Sequence, residues 1–486
     1  MLRRSLALAG LVVLGLAIPG WTTPPAASAD ATDGTTTGVT AADLLARPAG
    51  ADDPDLVVDR AHAEPRPNFA RTAAKVVGVN MLVWTYDRFI REGGENPVFR
   101  VGFNSWEENL RAGWSWDDNS FNTNQFAHPY HGSLYFNAAR SNGYDFWSSV
   151  PFAFGGSWLW ENMFETHHPS MNDWIATSVG GAALGEILHR LARTVRDETA
   201  TGSERTWREI GGMAIDPIGG LTRLIDGEWG ERGLNPPDRF PNSIASTLDV
   251  GLRTRGEDRL WVADTTRVYL EFAFDYGSPF TGDLTHPYDH FAFLMQVNFG
   301  DASTIGRVEG NGYLAGVMLK DTASISHLLG AYHRYDFHNT RALEFGSQSF
   351  TAGLVSRFHA HDGFELRTEV HAGPILLGGT SSDHESVSGR SYDYGPGFSA
   401  RVAARFLRDG WDYLRMSMEQ HWIHAISGNE ADHHVTSIHL RGALPVRKGL
   451  GLGMEYVLLT SERTYRQYED VSTRNPQTRV FATWSY

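Results

Sequence analysis

Residues Phe364-Glu365-Leu366-Arg367-Thr368-Glu369-Val370-His371 set Phe364, Leu366, Thr368 and Val370 against Glu365, Arg367, Glu369 and His371. Side chains of an extended chain point alternately to opposite faces, so this stretch builds a strand with one apolar and one ionic face. The same period runs through Arg267 to Asp275, where Val268, Leu270, Phe272 and Phe274 share the face opposite Arg267, Glu271 and Asp275. It returns where Phe398, Ala400, Val402, Ala404 and Phe406 oppose Arg401 and Arg405, and where Leu414, Met416, Met418 and Trp422 oppose Arg415, Ser417, Glu419 and His421. About twelve such segments follow residue 242, near 243–255, 259–276, 289–299, 304–319, 325–338, 346–360, 364–377, 393–407, 412–426, 433–444, 450–464 and 476–486. A soluble sandwich also alternates, but its strands average about five or six residues, whereas a tilted membrane strand needs about nine to eleven. The even number closes an antiparallel barrel with both ends on one side. These segments predict a transmembrane β-barrel of about twelve strands over residues 242–486.

The final stretch, Thr478 to Tyr486, puts Val480, Ala482, Trp484 and Tyr486 on one face. It resembles the terminal strand of bacterial outer-membrane proteins, which ends in an aromatic residue. That resemblance implies the barrel-assembly machinery as a partner. Composition agrees with strands: 51 Gly, 15 Trp, 17 Tyr and 26 Phe, with 20% charged residues. The formal charge of -15 disfavours a nucleic-acid partner, because such binding relies on cationic surface to release phosphate counterions. With no cysteine, disulfides, thiolate metal sites and cysteine nucleophiles are excluded.

At the start, Arg3 and Arg4 precede the apolar run Leu6 to Ile18, and Ala27-Ser28-Ala29 offers a small-residue cleavage site. Residues 1–29 therefore read as a signal peptide for export in a two-membraned bacterium. The apolar run is too short to span a bilayer, which takes roughly 20 residues. Residues 30–68, rich in Ala, Asp, Thr and Pro, bury too little surface to offset chain entropy and read as a flexible linker.

Between linker and barrel, residues 69–241 read as a helical, aromatic-rich domain, which makes the chain α+β. Asn68 is placed to cap a helix through about Arg91. Further helical patterns cover Trp158 to Glu165, Trp174 to Arg193 with Asn172 and Asp173 as caps, and Glu204 to Ile215, interrupted by Asp216-Pro217. The pairs Ser178/Ala182 and Gly181/Gly185 place small side chains one turn apart, permitting close helix contact. Such a domain belongs either on the periplasmic side or inside the lumen.

The blocks HPYHGSLYFNAARSNGYDFW (His128 to Trp147), GGSWLWENMFE (Gly155 to Glu165), PSMNDW (Pro169 to Trp174) and GGAALGE (Gly180 to Glu186) resemble a bacterial family known only as a domain of unknown function. The resemblance covers about a quarter of the chain and implies no activity.

The residues themselves suggest chemistry. His128, His131, Glu161 and Glu165 are candidate catalytic groups, with Glu161 and Glu165 one turn apart on a helix. Glu186 and His189 have the Glu-x-x-His spacing by which helices present a metal-binding pair. Ser133 lies two residues after His131 but outside any G-x-S-x-G motif. The plainer alternative gives these groups structural work: turns and caps at His128-Pro129 and Pro169-Ser170, and pairing of buried acids with Arg140 or Arg190. No cofactor and no oligomeric state follow from the sequence. Three functions remain open at this level: a structural or lipid-binding envelope protein in contact with outer-membrane lipids, a lipid-modifying acyl ester hydrolase or transferase, and a channel or small-solute transporter. Histidines on the ionic strand faces, such as His371 and His421, would line the lumen, and its mixed charge argues against a strongly ion-selective pore.

Overall fold

The computed structural model describes residues 66–91, 96–231, 233, 235–236, 239–256, 265–300, 303–360, 363–385 and 389–485. The expected signal peptide, nearly all of the linker and Tyr486 lie outside the described residues. Twelve strands follow the helices: β1 Ile244–Arg255, β2 Thr265–Tyr276, β3 Phe291–Asn298, β4 Ile305–Asp321, β5 Ile325–Thr340, β6 Leu343–His359, β7 Phe364–Ser381, β8 Tyr392–Arg408, β9 Trp411–His424, β10 Ala431–Arg447, β11 Leu450–Tyr465 and β12 Val471–Ser485. Each pairs antiparallel with its neighbours, and β1 pairs with β12 from Thr247↔Ser485 to Arg255↔Gln477, closing the sheet. The chain is thus α+β, with helices preceding a closed transmembrane β-barrel.

Closure sorts the two side-chain populations. On β5, Arg334 and Asp336 point inward, and Arg334 reaches Glu419 on β9 at 3.1 Å across the lumen. Other bridges between non-adjacent strands are Arg405 to Asp275 at 2.6 Å, Arg441 to Asp249 at 2.9 Å and Arg479 to Glu271 at 3.4 Å. His421 lies 3.7 Å from Glu419, in the lumen as its alternation predicts. Leu343, Phe345, Ile375, Ile423, Val435, Val457 and Leu459 form an apolar layer at one end of the same interior. On the outer wall Leu329, Leu354, Val402, Phe406, Met418, Leu440, Leu452 and Val480 are exposed, as lipid contact requires.

The helices before the barrel are α1 Phe69–Phe89, α2 Phe103–Ala112, α3 His128–Arg140, α4 Phe146–Leu159, α5 Met171–Ile175, α6 Gly181–Val195, α7 Gly202–Ile215 and α8 Pro217–Ile225. Asn68 caps α1 by accepting from the Arg71 amide, as expected. Ser170 rather than Asn172 or Asp173 caps α5, its Oγ facing the Asp173 amide. The pattern expected over Trp158 to Glu165 is the end of a longer helix that begins at Phe146, because Pro151 is accommodated inside it. Helix α3 was not foreseen: Pro129 reads as a turn signal but is equally suited to a first helical turn, where its missing N–H is no loss.

Two compact units result. One comprises Pro67–Ile187 with Pro241–Tyr486; the other, within the described residues, is Leu188–Phe240. In the smaller unit a network of arginines and carboxylates holds the helices: Arg205 meets Glu198 at 2.8 Å and Glu209 at 3.0 Å, and Arg223 meets both acids at 2.8 Å.

In the larger unit the helical module of residues 67–187 does not fill the lumen, which the ionic side chains already occupy. It lies on the outer wall. Tyr335 and Phe337 on β5, Gln348 on β6 and Tyr392 and Tyr394 on β8 all point outward, because their sequence neighbours Arg334, Asp336 and Asp393 point inward. Each is covered by the module: the Tyr335 hydroxyl donates to the Gln125 carbonyl at 2.6 Å, and Asn124 donates to the Tyr392 hydroxyl at 2.9 Å. The Phe126 and Phe337 rings lie 5.3 Å apart, and Trp116 stacks on Tyr394 at 5.9 Å. Inside the module, α3 and α6 touch backbone to backbone. A Cβ on Gly181 would come within 2.6 Å of Gly132, the close contact that the small-residue spacing predicts.

Two substitutions test these contacts. Gly181→Leu forces α3 and α6 apart and should destabilise the module by about 1–3 kcal/mol, seen as loss of protease resistance in residues 67–187 while the barrel keeps its heat-modifiable gel migration. Glu419→Gln removes the carboxylate shared by Arg334 and Arg401, leaving them with Asp336 and Glu369. Breaking a buried pair in this way typically costs about 3–5 kcal/mol, and the temperature at which gel migration changes should fall accordingly.

Candidate functional site

Three helices of the module each contain one π-helical turn: Thr123–Ala127 ahead of α3, Trp160–Phe164 at the end of α4, and Ala176–Gly180 between α5 and α6. Such turns insert one residue into a helix and re-aim the side chains around it. All three border one polar cluster.

His128 begins α3; its Nε2 is 3.7 Å from an Asp173 carboxylate oxygen and its Nδ1 is 3.3 Å from the Thr177 hydroxyl. One turn on, His131 Nε2 lies 2.8 Å from the Tyr135 hydroxyl, and its ring meets Trp160 edge-on at 5.0 Å. The Tyr135 hydroxyl donates its single proton to Asn80 Oδ1. It therefore accepts from His131, which assigns the proton to Nε2 and leaves Nδ1 with a free lone pair.

Glu161, fully buried, accepts the Ser170 amide at 2.8 Å through Oε2, and no donor among the described residues satisfies Oε1. Its carboxyl faces that of Glu165. Glu165 is the residue on which the helix ends, in extended conformation with φ -140 and ψ 162, so the two acids meet through a π turn and a chain exit rather than by α-helical spacing. Asp173 forms a second carboxyl pair with Asp117, and accepts from Asn172 Nδ2 at 2.8 Å. Asn172 also receives the Asp117 amide at 2.9 Å, tying the loop before α3 to α5.

Among the described residues no arginine or lysine pairs with the carboxyl of Glu161, Glu165 or Asp173, and Arg390 donates to the Asp117 backbone carbonyl at 2.8 Å. The electrostatics follow. Burial, reinforced by Glu165 and then Asp173, raises the Glu161 carboxyl well above its usual range. Burial, then Asp117, pushes Glu165 up to about 8, and burial with Asp117 raises Asp173 well above its normal value. Desolvation lowers His128 to about 4 and His131 to about 3. At neutral pH the site holds uncharged imidazoles beside protonated carboxyls, bases and acids within one enclosure.

The structure thus brings together His128, His131, Glu161 and Glu165, and adds Asp117, Tyr135 and Asp173. Asp117 has no sequence signal of its own, since its partner is 56 positions away, and Asp173 carries the signal of a cap, the role that Ser170 fills. Arg140 grips Glu186 through two bonds of 2.7 and 3.2 Å, and His189 faces Asp216 at 3.6 Å. Pairing with Arg140 was the plainer expectation for this acid. The Ser133 hydroxyl is engaged by the Tyr130 carbonyl at 2.6 Å.

A second acidic group, Glu309, Asp336 and Glu419, lies in the lumen with ligand atoms within 4.8 Å of one another. Arg307 at 2.5 Å and His338 at 3.0 Å serve Glu309, and Arg334 serves the other two. That balance marks a structural ion network.

A family model described as a domain of unknown function (DUF3943) matches residues 113–218, spanning the helices that build the first cluster. No curated protein matches the chain. Among solved structures the chain is similar to the NanC porin, at 9% identity over 49% of this chain and 98% of that one, TM-score 0.26. It is also similar to the outer-membrane channel DcaP of Acinetobacter baumannii, at 10% identity over 50% and 96%, TM-score 0.22. An outer-membrane channel from Pseudomonas putida F1 gives 9% identity over 51% and 97%, TM-score 0.25.

A carboxyl whose folded pKa is raised contributes stability below its unfolded value and loses it as pH climbs through the folded one. Glu165 moves from 4.5 to about 8, so the module should lose stability between those values. Thermal unfolding followed by helical circular dichroism across that window should show the decline, and Glu165→Gln should flatten it.

Proposed function

We propose that this is an outer-membrane protein, exported through its N-terminal segment and folded with the help of the barrel-assembly machinery, whose barrel carries a lipid-acting module on its wall. The reaction class is hydrolysis or transfer of an acyl ester. One observation carries the reading: His128, His131, Glu161 and Glu165, singled out by residue type alone, meet in one cluster of buried and half-buried groups with Asp117 and Asp173. Ester cleavage needs a base to take a proton from the attacking water and an acid to return one to the departing alkoxide. A neutral imidazole, His128 or His131, suits the first role. A protonated carboxyl, Glu161 or Asp173, suits the second.

The channel reading loses support from the lumen, where the Arg334–Glu419, Arg405–Asp275 and Arg441–Asp249 bridges join strands that are not neighbours. A purely structural or lipid-binding role leaves unexplained why the carboxyls of Glu161, Glu165 and Asp173 are gathered without a paired cation.

Mass spectrometry of envelope lipids tests the proposal. His131→Ala and Glu165→Gln should each reproduce the lipid profile of a deletion strain, with barrel migration on gels unchanged. An unaltered profile in both variants and in the deletion strain would sink the enzymatic reading in favour of a lipid-binding or structural module.

A further inference from the structure

The outer wall changes character along each strand that carries the module. On β5 the outward residues Leu329 and Ala331 are exposed, and the next ones, His333, Tyr335 and Phe337, are covered. On β6 the outward residues Leu354 and Ala352 are exposed, and the next, Phe350, Gln348 and Gly346, pass beneath the module. The module thus begins where the bare apolar belt stops, one outward position away. Aromatic and polar side chains such as Tyr335, Gln348, Tyr392 and Tyr394 occupy the covered band, the composition of a membrane–water girdle.

The surface that the module turns away from the wall is itself apolar. From Val76 to Tyr86, α1 has no charged residue, about 16 Å of helix at 1.5 Å per residue. Its exposed side chains there include Val77, Met81 and Leu82, the last 70% accessible, and Phe89 and Ile90 extend the patch. Helix α4 and the turn after it are uncharged from Phe146 to Trp160, with Trp147 and Trp158 exposed. The two helices lie side by side: the Phe69 and Phe152 rings are 5.8 Å apart, and Asn80 donates to the Gly156 carbonyl at 3.2 Å. Charges flank the α1 run, with Arg71 and Lys75 before it and Asp87, Arg88 and Arg91 after it. No described helix is long and apolar enough to cross a membrane. An apolar face of this length, bounded by charges and beginning beside a lipid-facing wall, has the form of a helix that lies in the interface plane.

We infer that the exposed faces of α1 and α4 are immersed in the bilayer leaflet that surrounds the barrel, their partner being lipid acyl chains. The occupant follows from continuity with the bare wall, and the inference holds whether or not the polar cluster catalyses a reaction. If it does, a lipid substrate reaches the site from the leaflet and not from water.

The chain has no cysteine, so a single introduced thiol is labelled cleanly. Leu82→Cys and Ile90→Cys, each carrying a nitroxide in the full-length protein reconstituted into phospholipid vesicles, are compared with Val402→Cys on the bare wall and Lys448→Cys in a turn. Barrel migration on gels confirms folding in every sample. Collision with oxygen relative to a water-soluble nickel chelate should rise several-fold above the Lys448 value and match Val402. A ratio like that of Lys448 overturns the inference. Shielding from both reagents also overturns it, because it would mean that the patch is covered by protein, either the N-terminal segment or a second copy.

Discussion

In hydrocarbon no water serves an open backbone N–H or C=O, so a sheet can stand in a bilayer only if its last strand pairs with its first. The β1–β12 ladder, nine residue pairs from Thr247↔Ser485 to Arg255↔Gln477, meets that condition, and the rest of the molecule is arranged around it. Once the sheet is a cylinder, period two has only two destinations. Leu329, Val402 and Met418 face outward because the alternation puts Leu328, Ala403 and Glu419 inside. The enclosed charges then need partners at lumen distances, and Arg334, Arg405, Arg441 and Arg479 each find a carboxylate on a strand that is not their neighbour.

The same rule explains why the module and the wall depend on each other. The Tyr335 hydroxyl and the Gln348 amide point outward, where a bare lipid surface would leave them without partners at a cost of several kcal/mol each. Gln125 meets both, with its carbonyl and its side chain, at 2.6 and 3.5 Å. Gly346 leaves room for that side chain. The wall beneath the module is therefore shaped for helices and not for lipid.

Alternation made the barrel legible from sequence, down to strand positions within a few residues. Strands as long as β7 leave little ambiguity, and β-hairpin turns rich in Gly and Asp mark their ends. The docking site was not legible by the same signal, since period two tells which face a residue occupies and nothing about what covers that face. A weaker signal was present: His333, Tyr335 and Gln348 interrupt an otherwise apolar outward row. The cluster was legible in its residue types, as His128, His131, Glu161 and Glu165 stood out as polar groups in an aromatic segment. Its assembly was not, because the three π turns depend on tertiary contact, and Asp117 joins only through the fold. Helical spacing also did not reveal that Glu186 meets Arg140 or that His189 faces Asp216, since both partners are distant in sequence.

How this protein treats its buried acids separates the cluster from everything else in it. In the lumen Glu419 has Arg334 and Arg401, and in residues 188–240 Glu209 has Arg196, Arg205 and Arg223. A sequence with arginines to spare for those sites pairs none with the carboxyls of Glu161, Glu165 or Asp173, and sets two uncharged imidazoles there instead. Packing alone would favour either hydrocarbon or matched pairs at these positions, since unmatched buried carboxyls are held neutral only at a cost in stability. Neutral acids next to neutral bases are what proton transfer requires. An arginine would abolish that state by holding the carboxyls ionised, so its absence is the feature of the cluster that packing does not explain.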